Sequence, residues 1–487
     1  MDRASGVLLP VFSLPSKFGI GTMGKEAYEF IDFLKKANQK YWQILPLSPT
    51  SAENSPYSGY STFAGNPYLI DLEELVQKDM LDMKDVENIN WNSGDICYEN
   101  IQKYKCLLLK KAYDKSIVEY RDKIEAFKHE NENWIYDYAL FMALKENFDM
   151  KPWFLWPEDI RNHKNIDKYN ELFAIDIEFH IFIQYIFFEQ WYNLKKYANE
   201  NGISIIGDIP IYVAMDSADV WCNTKDFLLD EENVPAFVAG VPPDSFSDIG
   251  QLWGNPLYNW DAMKKDGYGW WIRRIGNANK MFDVIRIDHF RAFESYWAVD
   301  SKADTASLGS WIKGPGMNLL GRINGWFPDI KIIAEDLGII TDEVKKLRED
   351  AGYPGMKILM FAFDETRNSD YLPHKYDRNC VCYCGTHDNA TIKEWYMNGE
   401  QSEIDFANEY LSINDKENFV WEFIKGGMAS TADLFIVQMQ DYLELGEDGR
   451  MNIPGKADGN WKWRLEKHQI SDKLSEKINY ITKLYGR

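Results

Sequence analysis

Cysteine is scarce: six in 487 residues, too few for a disulfide scaffold in a chain this long. Basic charge is scarce as well. Lys and Arg number 54 against 76 Asp and Glu, a net charge of −22 with no offsetting basic stripe. That balance argues against nucleic acid and anionic membranes as partners and fits a well-solvated surface. No long stretch is free of polar groups. The most apolar one, 174–197, carries Glu178, His180, Gln184, Glu189 and Gln190, so it suits a buried helix and cannot span a bilayer. The first ten residues lack a basic run followed by a long apolar region and a cleavage site, and a cytoplasmic location is expected. No phosphate-cradling loop or Ser-His-Asp order stands out. Gly19, Gly21 and Gly24 mimic a dinucleotide fingerprint, but the acidic follow-up and charge context do not fit, which leaves a strand-to-helix loop. There is no internal repeat, low-complexity tract or flexible linker.

What is present is ample core material and many rings. The chain is 45% hydrophobic, so disorder is not expected. Its 18 Trp, 28 Tyr and 27 Phe exceed what a core obviously needs. Most are expected in packing, but flat apolar rings also match the C–H faces of sugars. The length suits two or three domains, or one barrel enlarged by insertions. Eight strand-like runs occur, at 6–12, 41–47, 203–208, 284–288, 332–335, 356–361, 380–384 and 435–440. Segments with helical periodicity, such as 24–37 and 341–350, separate most of them. The alternation predicts an α/β chain folded as a (β/α)8 TIM barrel. Two intervals are too long for simple connecting loops. Residues 48–202, with helical stretches at 101–127 and 134–147, read as an inserted helical lobe. Residues 210–283 read as a loop-rich insertion. The catalytic barrel would then comprise 1–47 and 203–487, and both insertions would wall its C-terminal face.

Three short segments each end an apolar run on a carboxylate: Val284-Ile285-Arg286-Ile287-Asp288, Ile332-Ile333-Ala334-Glu335 and Cys384-Gly385-Thr386-His387-Asp388. An unpaired charge inside such a core is very costly, so three of them suggest a built site. Two carboxylates and a helper are what cleavage of a glycosidic bond requires. Alternation puts Arg286 and Asp288 on one strand face, pointing into a barrel. The guanidinium is expected to keep Asp288 ionised, as a nucleophile must be; the bland alternative is an ion pair that caps the barrel. Glu335, among other acids and aromatic walls, is expected to have a raised pKa and to serve as general acid. Neighbouring Asp336 is expected to cap the following helix. Asp388 could accept ring hydroxyls, His387 and His289 could donate to others, and Asp208 could orient Arg286. Cys380, Cys382 and Cys384 alternate along one strand. Their spacing is not a zinc knuckle, so a small apolar barrel layer is expected, with no metal and no cofactor.

These residues carry a family resemblance. The chain resembles the 4-α-glucanotransferases (amylomaltases, or disproportionating enzymes; glycoside hydrolase family 77 of the α-amylase clan). The matching motifs are Tyr41-Trp42-Gln43-Ile44-Leu45-Pro46-Leu47, Ser55-Pro56-Tyr57, Phe63-Ala64-Gly65-Asn66-Pro67-Tyr68-Leu69-Ile70 and Gly207-Asp208-Ile209-Pro210-Ile211-Tyr212-Val213-Ala214. They continue through the 250–256 loop, Arg286-Ile287-Asp288-His289, Ala334-Glu335-Asp336-Leu337-Gly338, Thr386-His387-Asp388-Asn389 and Met451-Asn452-Ile453-Pro454-Gly455. The resemblance implies Asp288 as nucleophile, Glu335 as acid/base and Asp388 as transition-state stabiliser. It implies Ser55, Tyr57, Asp208, Trp253, Arg286, His289, His387 and Asn452 along the glucan subsites; Trp253, Phe246 and the 240–256 loop are expected to cover the acceptor and exclude water. It also implies no obligatory metal, no C-terminal β-sandwich, and α-1,4-glucans and glucose as partners. One departure stands out: Ser245 occupies a position where the family pattern has Tyr, which would lie over bound glucan. A glucan hydrolase and a non-catalytic glucan-binding protein are the alternatives.

Overall fold

A computed structural model describes all residues except Met1, Ala52, 244–248, Lys416 and Ala457. Among the described residues twelve strands form two sheets. In chain order they are β1 (Ala4–Leu8), β2 (Tyr41–Gln43), β3 (Ser204–Pro210), β4 (Phe237–Val241), β5 (Gln251–Pro256), β6 (Val284–Asp288), β7 (Ser295–Asp300), β8 (Gly309–Lys313), β9 (Ile332–Ala334), β10 (Gly355–Ile358), β11 (Cys380–Tyr383) and β12 (Leu434–Gln438). The large sheet is wholly parallel, in the order β10-β11-β12-β1-β2-β3-β6-β9. It is a (β/α)8 barrel. All eight runs expected from the sequence are present, because most are apolar, often β-branched segments largely buried on both faces.

Closure depends on an acid with another expected duty. The Ala334 amide donates to the Pro354 carbonyl at 2.9 Å, and Asp336 accepts from the Met356 amide at 2.7 Å and from Arg348 at 2.9 Å. Asp336 therefore ties β9 to β10 and does not cap the next helix. That helix, Asp342–Ala351, starts at Thr341 and stops at Gly352, whose left-handed φ of +80° ends it. Inside the barrel the Tyr383 hydroxyl donates across to Gln43 at 2.8 Å, so this face of β11 points inward. The three thiols alternate with it and face outward. Cys380 donates to the Asp377 carbonyl at 3.0 Å, and Cys382 and Cys384 are fully buried. The thiols fill the layer between strand and helices, not a barrel layer. At the foot of β1, a Cβ on Gly6 would stand 2.6 Å from the Tyr41 carbonyl oxygen. Only glycine admits that approach.

The interval 48–202 holds helices Leu72–Gln77, Met83–Glu87, Tyr98–Ser116, Arg121–Glu130, Ile135–Asn147, Glu158–Arg161, Ile166–Leu172 and Ala174–Glu200. The last, at 27 residues, is the expected buried helix. It packs on the lobe helices and also on β3, so lobe and barrel share it. Two buried amides on it act as splints. Gln184 bonds both the amide and the carbonyl of Gly65, at 2.7 and 2.9 Å, and Gln190 does the same for Asp71, at 2.7 and 3.1 Å. They fix the Phe63–Ile70 motif to the lobe.

The interval 210–283 is more regular than expected. It contains β4 and β5 and helices Ala218–Cys222, Trp260–Lys265 and Gly269–Met281. A further excursion, after β6, supplies β7 and β8, and the four strands make an antiparallel sheet in the order β5-β4-β7-β8. Glycines 240, 250 and 254 and prolines 242 and 243 break the period-two pattern that would have revealed the first pair. Among the described residues no strand follows β12. Among the same residues no helix is long and apolar enough to cross a membrane.

Candidate active site

The barrel strands deliver polar groups to one end. Parallel register sets Asp208 of β3 beside Arg286 of β6, and Pro210 beside Asp288. Arg286 is buried, with its Nη1 donating to both Asp208 oxygens at 2.7 and 2.6 Å. Its Nη2 reaches Asp288 Oδ1 at 2.9 Å. One guanidinium is thus clamped between two carboxylates, one beneath it and one above. From the loop after β2, the Tyr57 hydroxyl donates to Asp208 at 2.7 Å and lies 2.9 Å from His387 Nε2. The Tyr57 and His387 rings stack with centroids 5.2 Å apart. His387 Nε2 stands 3.3 Å from Asp388, which also accepts from Asn452 Nδ2 at 2.6 Å.

Glu335 follows β9 and meets no cation directly. Its Oε2 accepts the His289 amide at 2.6 Å and its Oε1 the Leu337 amide at 2.8 Å. His289 can present that amide because it is left-handed (φ 54°) at the turn ending β6. The strain belongs to the site's geometry.

Electrostatics then separate the acids. Burial, followed by the charge of Asp288, raises Glu335 to about 8. Asp288 is also raised, to about 6, because burial outweighs the adjacent Arg286. Arg286 still pulls the other way, as expected from the sequence, and favours the ionised form. Asp388 is lowered to about 2: His387 and Asn452 together overcome its burial. With four acids around one arginine, the carboxyl lacking a cation retains its proton, and the order Glu335 above Asp288 above Asp388 follows. His289 is driven down to about 3 by burial and Arg291, so it is a neutral ring.

A cleft of about 630 Å³ opens over these groups. Ser55, Tyr57, Trp253, Arg286, Asp288, His289, Glu335, Asp388 and Asn452 line it. Trp253 meets the His289 ring edge-on, with centroids 4.8 Å apart. Asp208 and His387 do not line the cleft. Each is only 1% exposed and braces a residue that does. Phe246, and Ser245 before it, lie outside the described residues. The sequence reading missed Arg291, Trp311 and Trp461, which also line the cleft. Trp461 lies near both Tyr57 and His387, with centroids 5.9 Å from each. An Asn-Trp-Lys-Trp stretch at 460–463 was the available signal. Among the described residues no group of three or more His, Cys, Asp or Glu could hold a metal ion.

The chain is similar to known proteins. A family model described as 4-alpha-glucanotransferase matches residues 9–470. The 4-alpha-glucanotransferase of Clostridium butyricum is 47% identical over 483 residues, covering 98% of this chain and 99% of its own. That of Thermus thermophilus is 44% identical over 500 residues, covering 100% and 99%. Among solved structures, an amylomaltase from Streptococcus agalactiae in complex with acarbose is similar with a TM-score of 0.97 and 41% identity, covering 100% of this chain and 99% of that one. An amylomaltase from Corynebacterium glutamicum, 18% identical, shares the fold with a TM-score of 0.80, covering 100% and 75%.

Proposed function

The chain belongs to the 4-alpha-glucanotransferase family, and from that premise we propose how its own residues carry out transfer. Asp288 attacks the anomeric carbon of an α-1,4-glucan while Glu335 protonates the departing oxygen, giving a covalent glucosyl-enzyme. Glu335, now a base, takes the proton from the 4-hydroxyl of an incoming glucose or glucan, and configuration is retained. Such chemistry needs the two carboxyls about 5–5.5 Å apart. Asp388, kept ionised by His387 and Asn452, accepts ring hydroxyls and stabilises the oxocarbenium-like transition state. Asp208 and Tyr57 hold Arg286, and Arg286 orients Asp288. Ser55, Tyr57, His289 and Asn452 contact hydroxyls, and Trp253 stacks on an acceptor ring.

The observation that carries this reading is the divergence of the two acids. Asp288 is paired with a guanidinium, whereas among the described residues Glu335 accepts hydrogen bonds from the backbone amides of His289 and Leu337, so near neutral pH one is ionised and the other is protonated. A simple glucan-binding protein has no use for that split. Incubation with maltotriose tests the function directly. A transferase releases glucose while longer oligomers appear; a hydrolase gives glucose and maltose without longer products. Maltooligosaccharides, amylose and starch- or glycogen-derived dextrins are the donors this reading implies. The cytoplasm is the proposed compartment, supported by six cysteines of which none is paired.

A further inference from the structure

Arg291 is a buried cation held by no direct ion pair among the described residues. It sits in the 3-10 turn Phe290–Phe293 just after β6 and is 4% exposed. Its Nη1 donates to the Ile339 carbonyl and its Nη2 to Ser295 Oγ at 3.4 Å, while its Nε has no partner. Among the described residues it forms no ion pair with a carboxylate. An unpaired buried charge is costly. What the guanidinium does meet is an aromatic face: it lies over the ring of Trp311, 3.8 Å from the centroid. A desolvated cation is where such a contact is strongest.

Trp311 belongs to β8, the edge strand of the small sheet, and pairs with Trp297 on β7. The two indoles meet edge-on, with centroids 5.1 Å apart. With one face under Arg291 and an edge against Trp297, Trp311 is still 41% exposed and lines the cleft. The remaining face is open and held in a fixed plane, so little side-chain freedom is left to lose on binding.

The side of the cleft follows from the tether. Ile339, which anchors Arg291, and Leu337, whose amide holds Glu335, lie on one short segment after β9. The acid/base stands where the leaving group departs and the acceptor arrives, so a ring tied to its segment is on the acceptor side. Asp388 and Asn452 are bonded to each other, and Trp461 lies beside His387. His289 directly follows Asp288 and contacts Trp253, so these two flank the first acceptor sugar. Trp311 joins that side through Arg291 and lies on β8, at the opposite edge of the small sheet from β5, which carries Trp253. We infer that Trp311, backed by Arg291, is a stacking platform for an acceptor glucose unit beyond the first, and that it gives oligosaccharide acceptors their advantage over glucose. The inference rests on the Asp288–Glu335 assignment made above.

The test measures acceptor KM for maltotriose and for glucose with one fixed donor, in the unaltered enzyme and in Trp311→Ala and Trp311→Phe. The expected result is about a tenfold rise in the ratio of maltotriose KM to glucose KM for Trp311→Ala, equivalent to about 1.4 kcal/mol. Trp311→Phe, which restores a flat ring, should recover most of it. An unchanged ratio, or an equal rise for both acceptors, overturns the platform. If Trp311→Ala does not fold, Trp311→Leu fills the space beside Trp297 without an aromatic face and carries the same comparison. Mass mapping of a fluoro-glycosyl adduct separates the two levels: a label away from Asp288 sinks the catalytic assignment, whereas a label on Asp288 with an unchanged ratio sinks the platform alone.

Discussion

Glu335→Gln tests the acid assignment most sharply. In the native enzyme Glu335 lies near 8 and Asp288 near 6. At pH 7 a group with a pKa of about 8 is about nine-tenths protonated, whereas at its ordinary value of 4.5 it would be protonated in only about 0.3% of molecules. Asp288, at about 6, is about nine-tenths ionised at the same pH. The competent pair, ionised Asp288 with protonated Glu335, is then the favoured form near neutral pH and gives way toward both more acid and more alkaline pH. kcat/KM should trace a bell centred near neutrality, with Asp288 setting the acid limb and Glu335 the alkaline one. Glu335→Gln keeps shape and removes the proton. Cleavage of maltotriose, whose sugar leaving group needs protonation, should fall by about 10²–10⁴-fold. First-turnover fluoride release from an α-glucosyl fluoride, whose leaving group needs little help, should fall far less. It should also lose its alkaline limb. Equal losses on both donors, or an alkaline limb near pH 8 that survives the substitution, would refute the reasoning.

Other consequences can be checked alongside. Asp288→Asn should abolish transfer while the circular dichroism spectrum stays native, because charge is removed and shape is kept; an adduct mapped to Asp388 in the native enzyme would reverse the roles. Asp441, 1% exposed with one donor, the Ile392 amide at 2.7 Å, is raised by burial to about 7. Its folded form therefore holds a proton that the unfolded chain has lost, and stability drops as pH climbs from 3.8 to about 7, by about 4 kcal/mol in all. Asp441→Asn should narrow the gap between thermal midpoints at pH 5 and pH 8, and an unaltered gap would contradict this. Dialysis against a chelator should leave activity unchanged, since carboxylates and a guanidinium already supply the charge; loss of activity restored by a divalent metal would refute that.

Much of this protein was legible along the chain. Strand periodicity is local, so all eight barrel strands showed as apolar runs, and β6 emerged with its predicted limits. Carboxylates closing such runs marked Asp288 and Glu335 as candidates, because an unpaired charge is costly there. The helix Ala174–Glu200 was visible for the same reason: its burial is written in its composition. Contacts between distant segments were not visible. The small sheet joins two excursions through strands whose glycines and prolines hide their period. Arg291 and Trp311 lie twenty residues apart with no motif linking them, and Asp336 looked like a helix cap until the barrel closed beside it.

The sequence by itself determined which segments are barrel strands and which residue types close them, since these depend on neighbours along the chain. The tertiary structure decided what those residues do. Tyr57 and His387, 330 positions apart, meet only after the barrel forms, and the order of the acids rests on burial and on charges arriving from other strands. A pKa is a property of surroundings, and surroundings exist only in three dimensions.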